Sequence, residues 1–210
     1  MKKLDNLIAS LKDKDQFEMI SQKVIWWMLL LSGAFVAVYA LVMSTPLGNL
    51  IYVDQIPGSD GVMLNQIMYD MKGPNDTTLV VGLFLIISSL VYKMFRCAIR
   101  KTYYISNIIV LSVCAFFSLF VSVFLYITVA NYKAMYSALN FEEINDWLDL
   151  LVAEGTVFPT TSPIFAVGYV IATLVLISSL CSIALLVVKA IPFAKRVIKE
   201  HNEPKEVEVK

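Results

Sequence analysis

The chain is poor in the residues from which most active sites are assembled. Its 210 residues include one histidine, His201, and three cysteines, and only 16% are charged. A lone histidine near the end of the chain excludes a multi-histidine metal centre or a histidine dyad built within one molecule. Cys97, Cys114 and Cys181 lie in or beside apolar runs without a CxxC spacing, which argues against a disulfide framework or a thiolate metal site. The formal net charge is +0, so no electrostatic argument leads to nucleic acid. No GxSxG, HExxH or P-loop motif occurs, and no pair of carboxylates falls within an apolar run. The sequence therefore points to no enzyme and no cofactor. Glycine and proline are missing between residues 83 and 154, so the reversal expected near Arg96–Thr102 has no ordinary turn signal.

What the chain does have is hydrophobic length. It is 58% hydrophobic with a mean hydropathy of +0.71, too apolar for a soluble domain of this size to cover itself with charge. Four runs approach or exceed the roughly 20 apolar residues that span a bilayer: 24–43, 77–95, 105–129 and 164–188. The second is the shortest and leans on Lys93 at its end. Twenty-three mostly polar residues precede the first run and no small-residue cleavage site follows it, so that run reads as an uncleaved anchor. The segments are then 1–23, an amphipathic N-terminal stretch; 24–192, the four-span membrane domain; and 193–210, a charged tail.

Charge placement gives an orientation. Fifteen of the 17 Lys and Arg residues lie in 1–23, in 93–101 (Lys93, Arg96, Arg100 and Lys101) or from 189 onward. The loops 45–76 and 132–163 hold only Lys72 and Lys133, with nine acids. Positive residues stay inside, so both termini are expected in the cytoplasm, across a plasma or bacterial inner membrane. Trp26, Trp27, Tyr103 and Tyr104 stand at the inner ends of runs, as interface anchors do.

Each outer loop carries a helical pattern. In "ALNFEEINDWLDLLVAEGTVFP" Asn140 is a good N-cap with Glu143 three residues on. Ile144, Trp147, Leu148 and Leu151 follow at i, i+3, i+4 and i+7, and Gly155 and Pro159 supply the stop. The first loop has Asp60 as a cap, a stripe of Leu64, Ile67, Met68 and Met71, and Gly73-Pro74 as a stop. Such stripes must be buried, either in the headgroup layer or as a lid over the bundle. Interfacial helices are usually basic on the polar face, and these loops are acidic, which favours packing on protein. Glu142, Asp146 and Asp149 share one face. Three carboxylates along a straight helix do not make a calcium loop, so they read as a solvated acidic face. The expected fold is all-α: four spans with both ends inside and two amphipathic helices capping the outer face.

No Asp, Glu, Lys, Arg or His lies in the interior of any of the four runs, and such residues are the usual mark of proton relays and ion coupling. Asn107 is the amide noted near a run, read as a hydrogen bond to a neighbouring helix. Gly33, Ala37 and Ala40 on the first run, Cys114, Ser118 and Ser122 on the third, and Gly168 and Ala172 on the fourth suit close helix packing, within one bundle or between copies. They form no continuous polar track. At the ends, Leu4, Leu7, Ile8 and Leu11 make a short stripe for the inner leaflet or a partner. Asp15 and Glu18 read as a capping box for the first span, and the basic start of the tail suits anionic lipid.

The four-span plan is shared by claudin-like and tetraspanin-like proteins and by connexin- and innexin-type channels, but those carry cysteines in their outer loops and this chain has none there. It also lacks the glutamate that small multidrug exporters carry in their first span. The leading expectation is a non-enzymatic interaction or accessory subunit. Its partners would be the bilayer and a membrane or extracytoplasmic protein, or a second copy of itself. The alternative is a homo-oligomeric channel or pore whose path forms between subunits.

Overall fold

The computed structural model describes residues 14–44, 59–96, 104–151 and 162–202. They form five helices: α1 (Lys14–Met43), α2 (Ser59–Met94), α3 (Tyr104–Ser137), α4 (Phe141–Leu151) and α5 (Pro163–Asn202). All except α4 are long and apolar enough to cross a membrane. At about 1.5 Å per residue they run roughly 45–60 Å, well beyond a hydrocarbon core of about 30 Å.

The four long helices alternate in direction and close into a ring in which α1 meets α2, α2 meets α3, α3 meets α5 and α5 returns to α1. Residues 18–26, 92–96, 104–107 and 185–193 gather at one end, the basal end. Residues 39–44, 67–78, 129–144 and 162–169 gather at the other, the apical end.

Buried positions recur at alternating spacings of three and four. On α1 they are Gln22, Ile25, Leu29, Ser32, Val36, Tyr39 and Met43; on α5, Ile171, Val175, Ser178, Ser182, Leu185 and Lys189. That mean spacing of about 3.5 keeps one seam facing the partner helices, as in left-handed helical packing. The opposite faces expose large apolar groups, including Phe35, Val38, Ile87, Phe116 and Val170, as a lipid-facing surface does.

The core comes in two apolar halves. Leu29, Leu85, Leu111 and Leu185 belong to the basal half, and Val36, Val121, Leu125 and Val175 to the apical half. Between them lies a layer of small residues near the centre of each apolar run. Ser32 and Ser178 share a hydrogen bond of 2.8 Å, and the Ser179 hydroxyl donates to the Ala115 carbonyl at 3.1 Å. One level higher, Ser122 donates to the Ala172 carbonyl at 2.9 Å. A Cβ on Gly33 would lie 3.0 Å from the Gly82 carbonyl oxygen, and one on Gly82 would lie 2.9 Å from the Ala37 nitrogen. Here α1 and α2 touch through backbone, the close approach that small residues permit in lipid.

Two elements differ from the sequence expectation. Gly73-Pro74 does not end a separate helix, because α2 runs unbroken from Ser59 to Met94 with Pro74 inside it. Ser59 and Asp60 are already helical. Proline removes the bond to the carbonyl four residues back, here Asp70, and the Tyr132 hydroxyl of α3 donates to that carbonyl at 3.3 Å. The Asn75 amide fixes the next turn to α1, donating to the Ala40 carbonyl (3.1 Å) and to Ser44 Oγ (2.7 Å). Pro192 likewise lies inside a helix, since α5 continues through it to Asn202. The nearby Lys189 carbonyl accepts the Tyr104 hydroxyl at 2.9 Å. Pro74 is thus supported by a tyrosine hydroxyl from α3 at the carbonyl it frees, the kind of rescue that lets proline persist in membrane helices.

Candidate functional site

The basal end holds a buried polar network to which all four long helices contribute. Lys189 is 1% exposed. Its ammonium stands 3.2 Å from Glu18 Oε1, donates to Asn107 Oδ1 and lies 4.9 Å from the centre of the Tyr104 ring. The two protons of the Asn107 amide go to Gln22 Oε1 at 3.2 Å and to the Phe95 carbonyl at 2.9 Å. That carbonyl lies just past the end of α2, where helical acceptors have no partner of their own. Through one side chain, then, α3 binds α1, α2 and α5.

The helical phase accounts for this meeting. Gln22 and Glu18 continue the seam of α1 one and two turns below Ile25, and Lys189 continues that of α5 one turn past Leu185. The apolar runs stop short of all three, but the seam does not. The expectation that Glu18 caps the first span is therefore replaced: α1 is helical from Lys14, and the Glu18 carboxylate faces Lys189. Lys189 belongs to the packed interior and not to the basic tail. Asn107 makes the helix-to-helix hydrogen bonds expected of it, while its partner Gln22 was overlooked. The signal available for Glu18, Gln22 and Lys189 was the continuing three-four spacing.

Chemically, the arrangement holds charge more than it offers it. A buried ammonium is tolerated only with a counter-charge and further acceptors, and Lys189 has Glu18 and Asn107. Such pairs fix register and partner choice more than they add stability. Around the network, Lys93 and Arg96 lie over the Trp26 ring at 4.7 and 5.4 Å. Trp26 is buried and Trp27 exposed, so the interface pair divides between packing and surface. Arg100, Lys101 and Cys97 lie outside the described residues.

The other predicted residues take the following places. Gly33, Ala37, Ala40, Ser118, Ser122, Gly168 and Ala172 are all buried within the single chain. A Cβ on Gly168 would stand 2.6 Å from the Tyr39 hydroxyl and 2.7 Å from Val129, so this glycine admits the α1 tyrosine between α3 and α5. At the apical end, Ile144 of α4 is fully buried in the same cluster as Ile67, Tyr136 and Leu139, with Met71 packed against it. Asn140 precedes α4, its amide donating to the Glu143 carboxylate at 3.5 Å while its carbonyl takes the first helical bond from Ile144. Glu142, Asp146, Asp70 and Asp76 are exposed. The side chains of Trp147, Leu148, Asp149, Leu151, Leu64 and Met68 lie outside the described residues, as do Gly155 and Pro159. Among the described residues no three His, Cys, Asp or Glu side chains come together as metal ligands would.

No protein-family model, curated protein or solved structure matches this chain.

Proposed function

We propose that this is a non-enzymatic multi-pass membrane protein that acts as an interaction or accessory subunit. Both termini lie in the cytoplasm, and partners meet an acidic outer surface and a basic cytoplasmic helix end. The observation that carries the reading is how the polar groups are used. Inside the bundle they bind one another, as Lys189 does with Glu18 and Asn107 and Ser32 with Ser178. Exposed charge is instead biased by sign between the two ends, with Lys72 and Lys133 as exposed cations at the acidic one. Asp70, Asp76, Glu142 and Asp146 stand at the apical end, and Lys23, Lys93, Lys195, Arg196 and Lys199 at the basal end. The positive-inside bias supports a cytoplasmic basal end. The burial of Ile144 and Ile67 in the bundle cluster supports α4 and the start of α2 as a cover over the outer face. Beyond Lys189, α5 carries Lys195, Arg196 and Lys199 about 20 Å outward on one helix, a fitting contact for a cytoplasmic partner.

The test is chemical cross-linking in native membranes followed by gentle extraction, comparing the wild type with the charge-reversed Glu142→Lys/Asp146→Lys protein. Both side chains are exposed, so the variant keeps its helical content. The reading predicts a co-purifying protein that the variant loses. Equal retention by both would remove the acidic surface from the account. A homo-oligomer of defined size that conducts ions in liposomes would replace the reading with that of a pore between copies. The interior of one chain is filled by fully buried Leu29, Val36, Leu85, Leu111 and Leu125 and leaves conduction to the seams between subunits. Orientation is tested separately: Glu142→Cys and Lys199→Cys should label from opposite sides of the membrane.

A further inference from the structure

The apical end is mostly acidic, and two described lysines, Lys72 and Lys133, stand exposed among its carboxylates. Lys133 is exposed on α3 and lies beside a cleft of about 410 Å³ between α3 and α5, walled by Tyr136, Phe165 and Tyr169 and edged by Ser137 and Ser162. The volume falls in the range of about 300–1,000 Å³ typical of small-molecule sites. Its composition is that of a site for an amphiphile: one cation, two hydroxyls and three aromatic rings.

The depth of the cleft identifies the amphiphile. The third apolar run ends at residue 129, so Lys133 stands about 6 Å beyond it, and Pro163 immediately precedes the run that starts at 164. The cleft therefore lies at the level where hydrocarbon gives way to headgroups, the depth at which tyrosines collect. Below it the α3–α5 seam leads toward lipid, flanked by exposed Ile127, Val167 and Val170. Further along that seam the Tyr126 and Thr173 hydroxyls hydrogen-bond across it. Ala166 lines the cleft and leaves its mouth open where a larger residue would close it.

The polar groups can receive an anion. Lys133 Nζ lies 6.0 Å from the centre of the Tyr169 ring, held over the cleft. Ser162 accepts the Ile164 N–H at 3.4 Å through its side-chain oxygen, leaving its own proton to donate. The positive end of the α5 backbone dipole lies at the same place. We infer that this cleft binds an anionic phospholipid, its phosphate between Lys133 and Ser162 and an acyl chain along the α3–α5 seam. Asp70, Asp76, Glu142 and Asp146 repel a negative headgroup elsewhere on this end, and in the cleft it meets a cation beside hydroxyl donors.

The experiment uses the full chain purified in mild detergent, stripped of lipid and titrated with phosphatidylglycerol, phosphatidylcholine or soluble glycerol phosphate, with bound lipid counted by native mass spectrometry. One phosphatidylglycerol should bind with clear preference over phosphatidylcholine, and glycerol phosphate should not displace it. Lys133→Gln should weaken binding about tenfold, as loss of a charge-assisted hydrogen bond does, while Lys133→Arg restores it. Ala166→Phe should abolish binding by filling the mouth with the charge intact. Equal occupancy in wild type, Lys133→Gln and Ala166→Phe would overturn the assignment, as would equal affinity for the two lipids. Displacement by glycerol phosphate alone would make this a soluble-anion site and overturn the lipid assignment. Lys133 and Ala166 are both exposed, so far-UV circular dichroism of the variants should match wild type.

Discussion

Replacing Glu18 by glutamine tests whether the basal network is an ion pair in a dry interior or a surface contact. The Lys189 side chain has no solvent exposure, while that of Glu18 retains 12%. Glu18→Gln leaves the ammonium buried with Asn107 Oδ1 as its neutral acceptor, and stranding a buried charge costs about 3–5 kcal/mol. Lys189→Met leaves a carboxylate with a path to water and an unpaired Asn107 oxygen, a smaller loss of about 1–3 kcal/mol. The double variant strands no charge, and its cost is again that of the Asn107 acceptor, about 1–3 kcal/mol. Lys189→Met should therefore destabilise the wild type and stabilise the Glu18→Gln protein by about 2 kcal/mol, a reversal of sign that additive effects cannot give. The assay is reversible unfolding in mixed micelles, followed by circular dichroism and tryptophan fluorescence. Additive losses, or a Glu18→Gln cost within the roughly 1 kcal/mol of an exposed pair, would refute the buried network.

Three further outcomes follow from the packing. Tyr132→Phe should cost about 1 kcal/mol in the wild type and almost nothing beside Pro74→Ala, whose restored N–H can bond to the Asp70 carbonyl; equal costs in the same unfolding assay would break the link. Gly168→Ala should cost about 1–3 kcal/mol by overpacking and recover in part with Tyr39→Phe. Gly33→Ala meets the backbone of α2 at Gly82 and Ile86 as well as the Ile86 side chain, so truncating Ile86 should recover less of its cost. Ile144→Ala should cost about 2–5 kcal/mol and, by loosening α4, speed limited proteolysis near residues 138–151.

The spans were legible because apolar length is a one-dimensional property, and all four runs lie within long helices. The ends of the helices were not, because stop signals are local and their override is tertiary. Gly73-Pro74 reads as a terminus until Tyr132, more than fifty positions away, supplies a donor to the Asp70 carbonyl. The polar network was missed for a related reason. Apolar length ends at the first charge beyond each run, while the three-four seam carries on through Glu18, Gln22 and Lys189. Asn107 was found because it falls inside a run. The aromatic cleft beside Lys133 is invisible in one dimension, since its walls come from two helices joined through α4.

The basal network also bears on how the protein is made. Glu18 and Gln22 precede the first apolar run and Lys189 follows the last, so neither charge lies inside a membrane-length segment during insertion. Each can wait at the aqueous edge of the bilayer, hydrated, and lose its water only when α1 and α5 come together. Because Glu18 precedes the first apolar run and Lys189 follows the fourth, their contact forms only after the fourth span is in place. A truncated or half-inserted chain therefore keeps a hydrated carboxylate where the finished protein has a closed seam. The pair thus distinguishes a completed bundle from an incomplete one.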